Sequence, residues 1–146
     1  MTKIKDIISV LENIALKGYQ ESYDNAGLIT GTTDTVLSGV LISLDCIETV
    51  IEEAIEKNCN LIVAHHPIVF KGIKQLNGKN YVERTIIKAI KNDVAIYAIH
   101  TNLDNVHNGV NAKIADKLGL ENTKVLSPKS DTLSKLEVLV PKTDTE

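Results

Sequence analysis

The sequence predicts an α/β layered sandwich, a largely parallel sheet with helices on both faces, and three observations predict it. Short aliphatic runs alternate with segments whose apolar residues recur at helical spacing. The aliphatic runs are apolar almost without a break, as strands covered on both faces are. At 146 residues the chain suits one domain, and a domain of this size buries roughly two thirds of its unfolded surface without needing a disulfide.

Ile4, Ile7, Ile8, Leu11, Ile14 and Ala15 share one face, so residues 3–17 read as an amphipathic helix that stops near Gly18. GLITG at 27–31 and VLSGVLISLD at 36–45 are strand-like and flank the turn-rich TTDT, which predicts a hairpin or near-hairpin. Asp45 stands three residues before Glu48, the spacing of a helix start. It reads as the N-cap of a helix over 46–58 with Ile47, Val50, Ile51, Ala54 and Ile55 as its stripe. LIVAHH at 61–66 is the next strand. The polar loop KGIKQLNGKN then leads into a helix over 82–92 carrying Val82, Ile86, Ile87 and Ile90 on one side. AIYAIH at 95–100 is a further strand, and a helix over 108–119 uses Val110, Ile114, Ala115 and Leu118 before Gly119. Strands joined through helices cross over in one hand, which makes their sheet parallel. Residues 1–120 therefore form the α/β body. Residues 121–135 are polar with a proline and read as a linker, and a new strand pattern begins in LEVLVPKTDTE at 136–146.

Composition narrows the function. Net charge is −3 with a pI near 5.8, there is no basic run, and the aromatics are four tyrosines and one phenylalanine, which argues against nucleic acid as a partner. Charges are scattered through MTKIKDIISVLENIAL, so the amino terminus is neither a signal peptide nor an anchor, and no other segment suits a membrane span. Cys46 and Cys59 make no CxxC, and read as reduced thiols in a cytoplasmic protein.

Three predicted strands end on ionisable residues: Asp45, then His65 and His66, then His100 with Asp104 close behind. In open α/β sheets ligands bind beyond the carboxyl ends of the strands. Desolvating two adjacent imidazoles is costly unless each has a partner, and a metal supplies one to each. Consecutive side chains on an extended strand point apart, and Pro67 keeps His66 extended, so His65 and His66 are expected to diverge and serve two ions side by side. Asp104 brings a carboxylate to the same place. Imidazole with carboxylate suits zinc, iron, manganese or nickel. His107, in a loop beside Asn108 and Gly109, reads as an ordinary hydrogen-bonded surface residue.

LIVAHHPIVFKGIKQL, AIHTNLDNVHNGVNAKIADKLGL and ESYDNAGLITG together resemble the signatures of the Nif-three-like family, known also as GTP cyclohydrolase I type 2 homologs, over essentially the whole chain. The resemblance implies an α/β fold around a dinuclear metal centre, commonly in a ring-shaped homohexamer. It implies metal ligands at His65, His66 and Asp104 and makes His100 an acid-base candidate. Asp24 and Asn25 match a family signature, with a turn role as the plain alternative. The family closes its site with a further histidine and glutamate, and no histidine follows His107 here, so this chain is expected to be the amino-terminal portion of a longer protein. Three function classes remain open: a metal-dependent hydrolase acting on a small molecule, a metal-handling or regulatory protein whose ions are cargo or structure, or a binding module whose histidines serve only stability, with metal binding favoured over the last. GTT at 31 and NGK at 77 do not form a P-loop.

Overall fold

In the computed structural model, residues 1–128, Val138 and Val140 are described. Four strands form one sheet: β1 (Gly27–Thr30), β2 (Val40–Ser43), β3 (Leu61–Ala64) and β4 (Ala95–Ala98), in the order β1-β4-β3-β2. β2, β3 and β4 run parallel, whereas β1 is antiparallel to β4. β3 and β4, every residue of which is buried, occupy the centre. Helices α1 (Ile4–Ile14), α2 (Glu48–Glu56), α3 (Tyr81–Lys91), α4 (Thr101–Asp104) and α5 (Val110–Leu118) complete the body, with a 3-10 turn at Lys17–Tyr19.

The alternation of side chains along β3 and β4 divides the core in two. Ile62, Ala64 and Ile96 pack with Ile51, Ala54, Ile86 and Ala89 of α2 and α3 on one face. Leu61, Val63, Ala95 and Tyr97 pack with Ile4 and Ala15, with Ile7, Ile8 and Leu11 of α1 and with Leu103 of α4, on the other. Helices thus cover both faces, as the sequence predicts. The α2 and α3 pair is laced on its solvent side by Arg84 with Glu48, 2.9 Å apart, and by Lys88 with Glu52.

The hairpin expected between 27–31 and 36–45 does not form. β1 and β2 lie at opposite edges of the sheet. The intervening segment pairs with the start of the chain instead: Thr35 and Thr33 accept from the amides of Ile4 and Lys5, and Leu37 N donates to Thr2 O. β1 reaches β4 through Gly31, at φ +102, where a Cβ would stand 2.5 Å from that of Ala95. Only glycine lets the backbones approach that closely. Helix α1 also stops before 17, because Ala15 is extended and fully buried with its carbonyl accepting from Asn102 Nδ2 at 2.9 Å. The linker expected at 121–135 falls partly, and the strand pattern at 136–146 almost wholly, outside the described residues; Val138 and Val140 are exposed.

Candidate metal and acid-base site

β3 and β4 end in register, Ala64 opposite Ala98, so the chain leaves both strands at one edge of the sheet. His65 and His66 follow β3 directly. His100 lies two residues past β4 and heads α4, whose last residue is Asp104. The topology alone thus gathers the residues read from the strand ends.

Each imidazole is held through Nδ1 by a different acceptor. His65 Nδ1 meets Ile99 O at 2.8 Å, His66 Nδ1 meets Asp45 Oδ1 at 2.8 Å, and His100 Nδ1 meets Asp24 Oδ1 at 2.9 Å. A neutral imidazole that donates from one ring nitrogen presents the other as an acceptor, so these partners leave Nε2 as the uncommitted ring nitrogen of all three rings. One ligand atom from each of the three lies within 4.8 Å of the others. Asp104 Oδ1 is 3.9 Å from His65 Nε2. Three imidazoles with oriented outer partners form a donor group that could hold a divalent transition metal; Asp104, beside His65, stands outside that group of three.

The expected divergence of His65 and His66 is not seen: their ring centroids are 5.1 Å apart. Regular strand geometry ends at Ala64, and beyond it the chain bends, so the strict alternation no longer applies. His65 is tied toward β4 and His66 toward the end of β2, yet both rings stay over the same edge.

Asp45 is not the helix cap. The N-cap of α2 is Ile47, without a side-chain cap bond, and the Asp45 carboxylate is committed to His66. A long-range partner outcompetes the local DxxE signal. Asp24, for which sequence gave no chemistry, has a side chain with no exposed surface. It accepts from His100 Nδ1, from Thr101 N at 3.0 Å and from the Thr101 hydroxyl. Burial works to raise its carboxyl, but the hydrogen bonds from Thr101, His100 and Asn25 together outweigh that and hold it below the ordinary carboxylate range. The neighbouring Asn25 donates to Val69 O at 2.7 Å and so ties the loop after His66 to the same turn. The only sequence signal for Asp24 is the DNAGL motif. His107 is exposed and stands outside the histidine group.

A sequence model of the family described as Duf34/NIF3 (NGG1p interacting factor 3) matches residues 2–144. The chain belongs to the DUF34/NIF3 family. The GTP cyclohydrolase 1 type 2 homolog of Bacillus subtilis is 43% identical over 139 residues, which cover 94% of this chain and 37% of that protein. A Bacillus cereus protein related to NIF3 superposes with a TM-score of 0.83 at 41% identity, over 88% of this chain and 35% of the other. Reduced HcgD from Methanocaldococcus jannaschii gives a TM-score of 0.79 at 32% identity, over 90% of this chain and 51% of its own. The chain therefore spans between about a third and a half of the length of these DUF34/NIF3 relatives. Among the described residues, no helix is long and apolar enough to cross a membrane.

Proposed function

We propose that His65, His66 and Asp104 are this chain's share of a dinuclear divalent-metal centre in a metal-dependent hydrolase. The observation that carries this reading is the set of three imidazoles gathered from two strand ends, each fastened through Nδ1 and with one ligand atom apiece within 4.8 Å of the others. Bound ions there supply Lewis acidity and a water acidic enough to serve as nucleophile at neutral pH. His65 and Asp104 offer an imidazole and a carboxylate from neighbouring strand exits, and His66 offers a second imidazole from the side of Asp45.

His100 is the proton-transfer group in this scheme. The buried Asp24 carboxylate accepts a hydrogen bond from its Nδ1–H, which leaves Nε2 free, fixes the tautomer and stabilises the ring when Nε2 takes up a proton. Thr101 holds Asp24 in turn, through its amide and its hydroxyl. The proposal extends to a cytoplasmic homo-oligomer, a hexamer by family resemblance, acting on a small molecule, with residues 1–120 as the metal-site body. GTP is the substrate class suggested by the names of the relatives.

His66 is half exposed, at 46% for its side chain, and so is Asp45. An open ligand pair favours ion exchange, which supports a second reading in which the protein handles or stores the metal. Metal content and turnover separate the two. In the complete protein reconstituted with zinc, iron, manganese or nickel, His65→Ala and His66→Ala are each expected to empty at least one metal position and leave the circular dichroism unchanged. His100→Ala is expected to keep the metal and reduce hydrolysis about a hundredfold or more. Full metal occupancy in both paired variants sinks the metal-centre reading; metal without turnover of any nucleotide, amide or phosphate ester favours metal handling.

A further inference from the structure

A chamber of about 910 Å³ opens beside His66, between the start of α2, the loop after β3 and the start of α3. It shares Asp45 and His66 with the site described above. Its basic wall is formed by Lys71, Lys74 and Lys79. Among the described residues none of these three lysines is ion-paired, whereas Lys3, Lys5, Lys57, Lys88 and Lys113 are. Two carboxylates also border the chamber, but both are engaged. Asp45 holds His66. Glu83 accepts from the amides of Asn77 and Lys79 at 3.2 and 3.0 Å and from Asn80 Nδ2 at 2.8 Å. The uncommitted charge facing the space is positive, in a chain whose net charge is −3.

Resting on the metal-centre reading above, we infer that this chamber is the subsite for the phosphate groups of the substrate. Three compact ammonium groups suit phosphate oxygens, which accept point charges from many directions, while a planar carboxylate is better matched by the fork of an arginine. The volume is at the upper end of small-molecule pockets and exceeds what phosphate alone fills. The exposed rings of Phe70 and Tyr81 provide apolar surface for the rest of such a molecule. His66 and Phe70 belong to both places: Phe70 lines the chamber and stands edge-on to His100, with ring centroids 6.4 Å apart. His66 thus borders the chamber and the histidine cluster alike.

Calorimetric titration of inorganic triphosphate into the metal-stripped chain tests this. The triple variant Lys71→Gln/Lys74→Gln/Lys79→Gln is expected to bind at least about tenfold more weakly, since three exposed charge contacts each contribute about two- to fivefold. Lys113→Gln/Lys117→Gln on α5 is expected to leave binding unchanged, and citrate, a carboxylate trianion, to bind more weakly than triphosphate. Equal affinity in wild type and the triple variant, or citrate binding as tight as triphosphate, overturns the inference. Circular dichroism checks folding, and the three single variants replace the triple one should it unfold, with a fewfold loss expected in each and no loss in any overturning the inference. Metal uptake is measured on the same preparations. Lysine-dependent triphosphate binding by a chain that takes up no metal keeps the phosphate subsite and removes the metal centre; metal uptake without it does the reverse.

Discussion

The two central strands are alike up to their last residue and unlike immediately after it. β3 and β4 are four buried residues each, parallel and in register. The β4 exit turns at once into α4, and its histidine rests on a carboxylate with no exposed surface. Asn102, also fully buried, binds the amide of His100 and the carbonyl of Ala15 from the same turn. The β3 exit runs instead into a long polar loop, and its second histidine rests on an aspartate that is 61% exposed. One edge of the sheet therefore combines a fixed imidazole with an adaptable one. A proton-transfer group needs a set tautomer and position, while a ligand to an exchangeable ion or a neighbour to a substrate benefits from access, so the asymmetry matches the division of roles proposed for His100 and His66.

The largest test of that contrast is Asp24→Ala. It leaves Thr101 N, the Thr101 hydroxyl and His100 Nδ1 without their shared acceptor in a buried place. A destabilisation of about 3 kcal/mol is expected, because each stranded buried donor costs about 1–3 kcal/mol and relaxation recovers part of the sum. Urea unfolding midpoints measure it. Asp45→Ala removes a carboxylate of the same type from the other histidine and is expected to cost at most about 1 kcal/mol, as exposed ion pairs do. Equal losses in the two variants would mean that the two exits are equally rigid.

The open exit is itself clipped at its far end. Asn80 caps α3 by accepting from Glu83 N at 2.9 Å, and Glu83 returns bonds to the loop. The Lys79 amide leads in holding the Glu83 carboxyl below its ordinary value; burial opposes, and Asn77, Gly78 and Asn80 add to the lowering. A carboxyl whose folded pKa is depressed contributes stability that is present above its unfolded pKa of about 4.3 and is lost as pH falls through the folded value. Wild type is therefore expected to lead Glu83→Gln in urea midpoint near neutrality, with the lead shrinking as pH drops below about 4. A lead independent of pH between 3 and 7 would show that the ionised form has no special place in the loop.

What was legible in the sequence divides along the same physical line. Helix faces and buried strands are local patterns, and Ile4 through Leu11, LIVA and AIYA announce them. The partners of the histidines are not local: Asp24 and His100 are 76 residues apart, and Asp45 and His66 are 21 apart. No periodicity connects such pairs. Asp45 was further disguised by Glu48, which supplied a credible capping pattern for a helix that starts from Ile47 instead. The four-residue α4 spans barely one helical turn, too short for a periodic pattern to announce it, and no break in the apolar run marks the end of β4 at Ala98 within AIYAIH. The false hairpin had a similar origin, since TTDT has the residues of a turn, but Thr33, Thr35 and the following Leu37 pair with the first residues of the chain.

The smallest expected effect belongs to His107→Ala, and it sharpens the comparison because His107 lies only three residues beyond Asp104. Proximity in sequence would place it in the cluster; the turn between α4 and α5 places it outside. That turn is tightly determined. A Cβ on Gly109 would lie 2.0 Å from Leu103 O, and Asn111 Nδ2 holds the Asp104 carbonyl at 3.0 Å. His107 is carried on the outer side of it, exposed to solvent. Its replacement is expected to change the unfolding midpoint by no more than about 0.5 kcal/mol and to leave metal uptake as in wild type. His65→Ala, measured beside it, supplies the scale for a proposed ligand. If His107→Ala lowers metal occupancy to a comparable degree, the turn carries a donor into the site, and the fixed exit of β4 contributes more of the centre than His100 and Asp104.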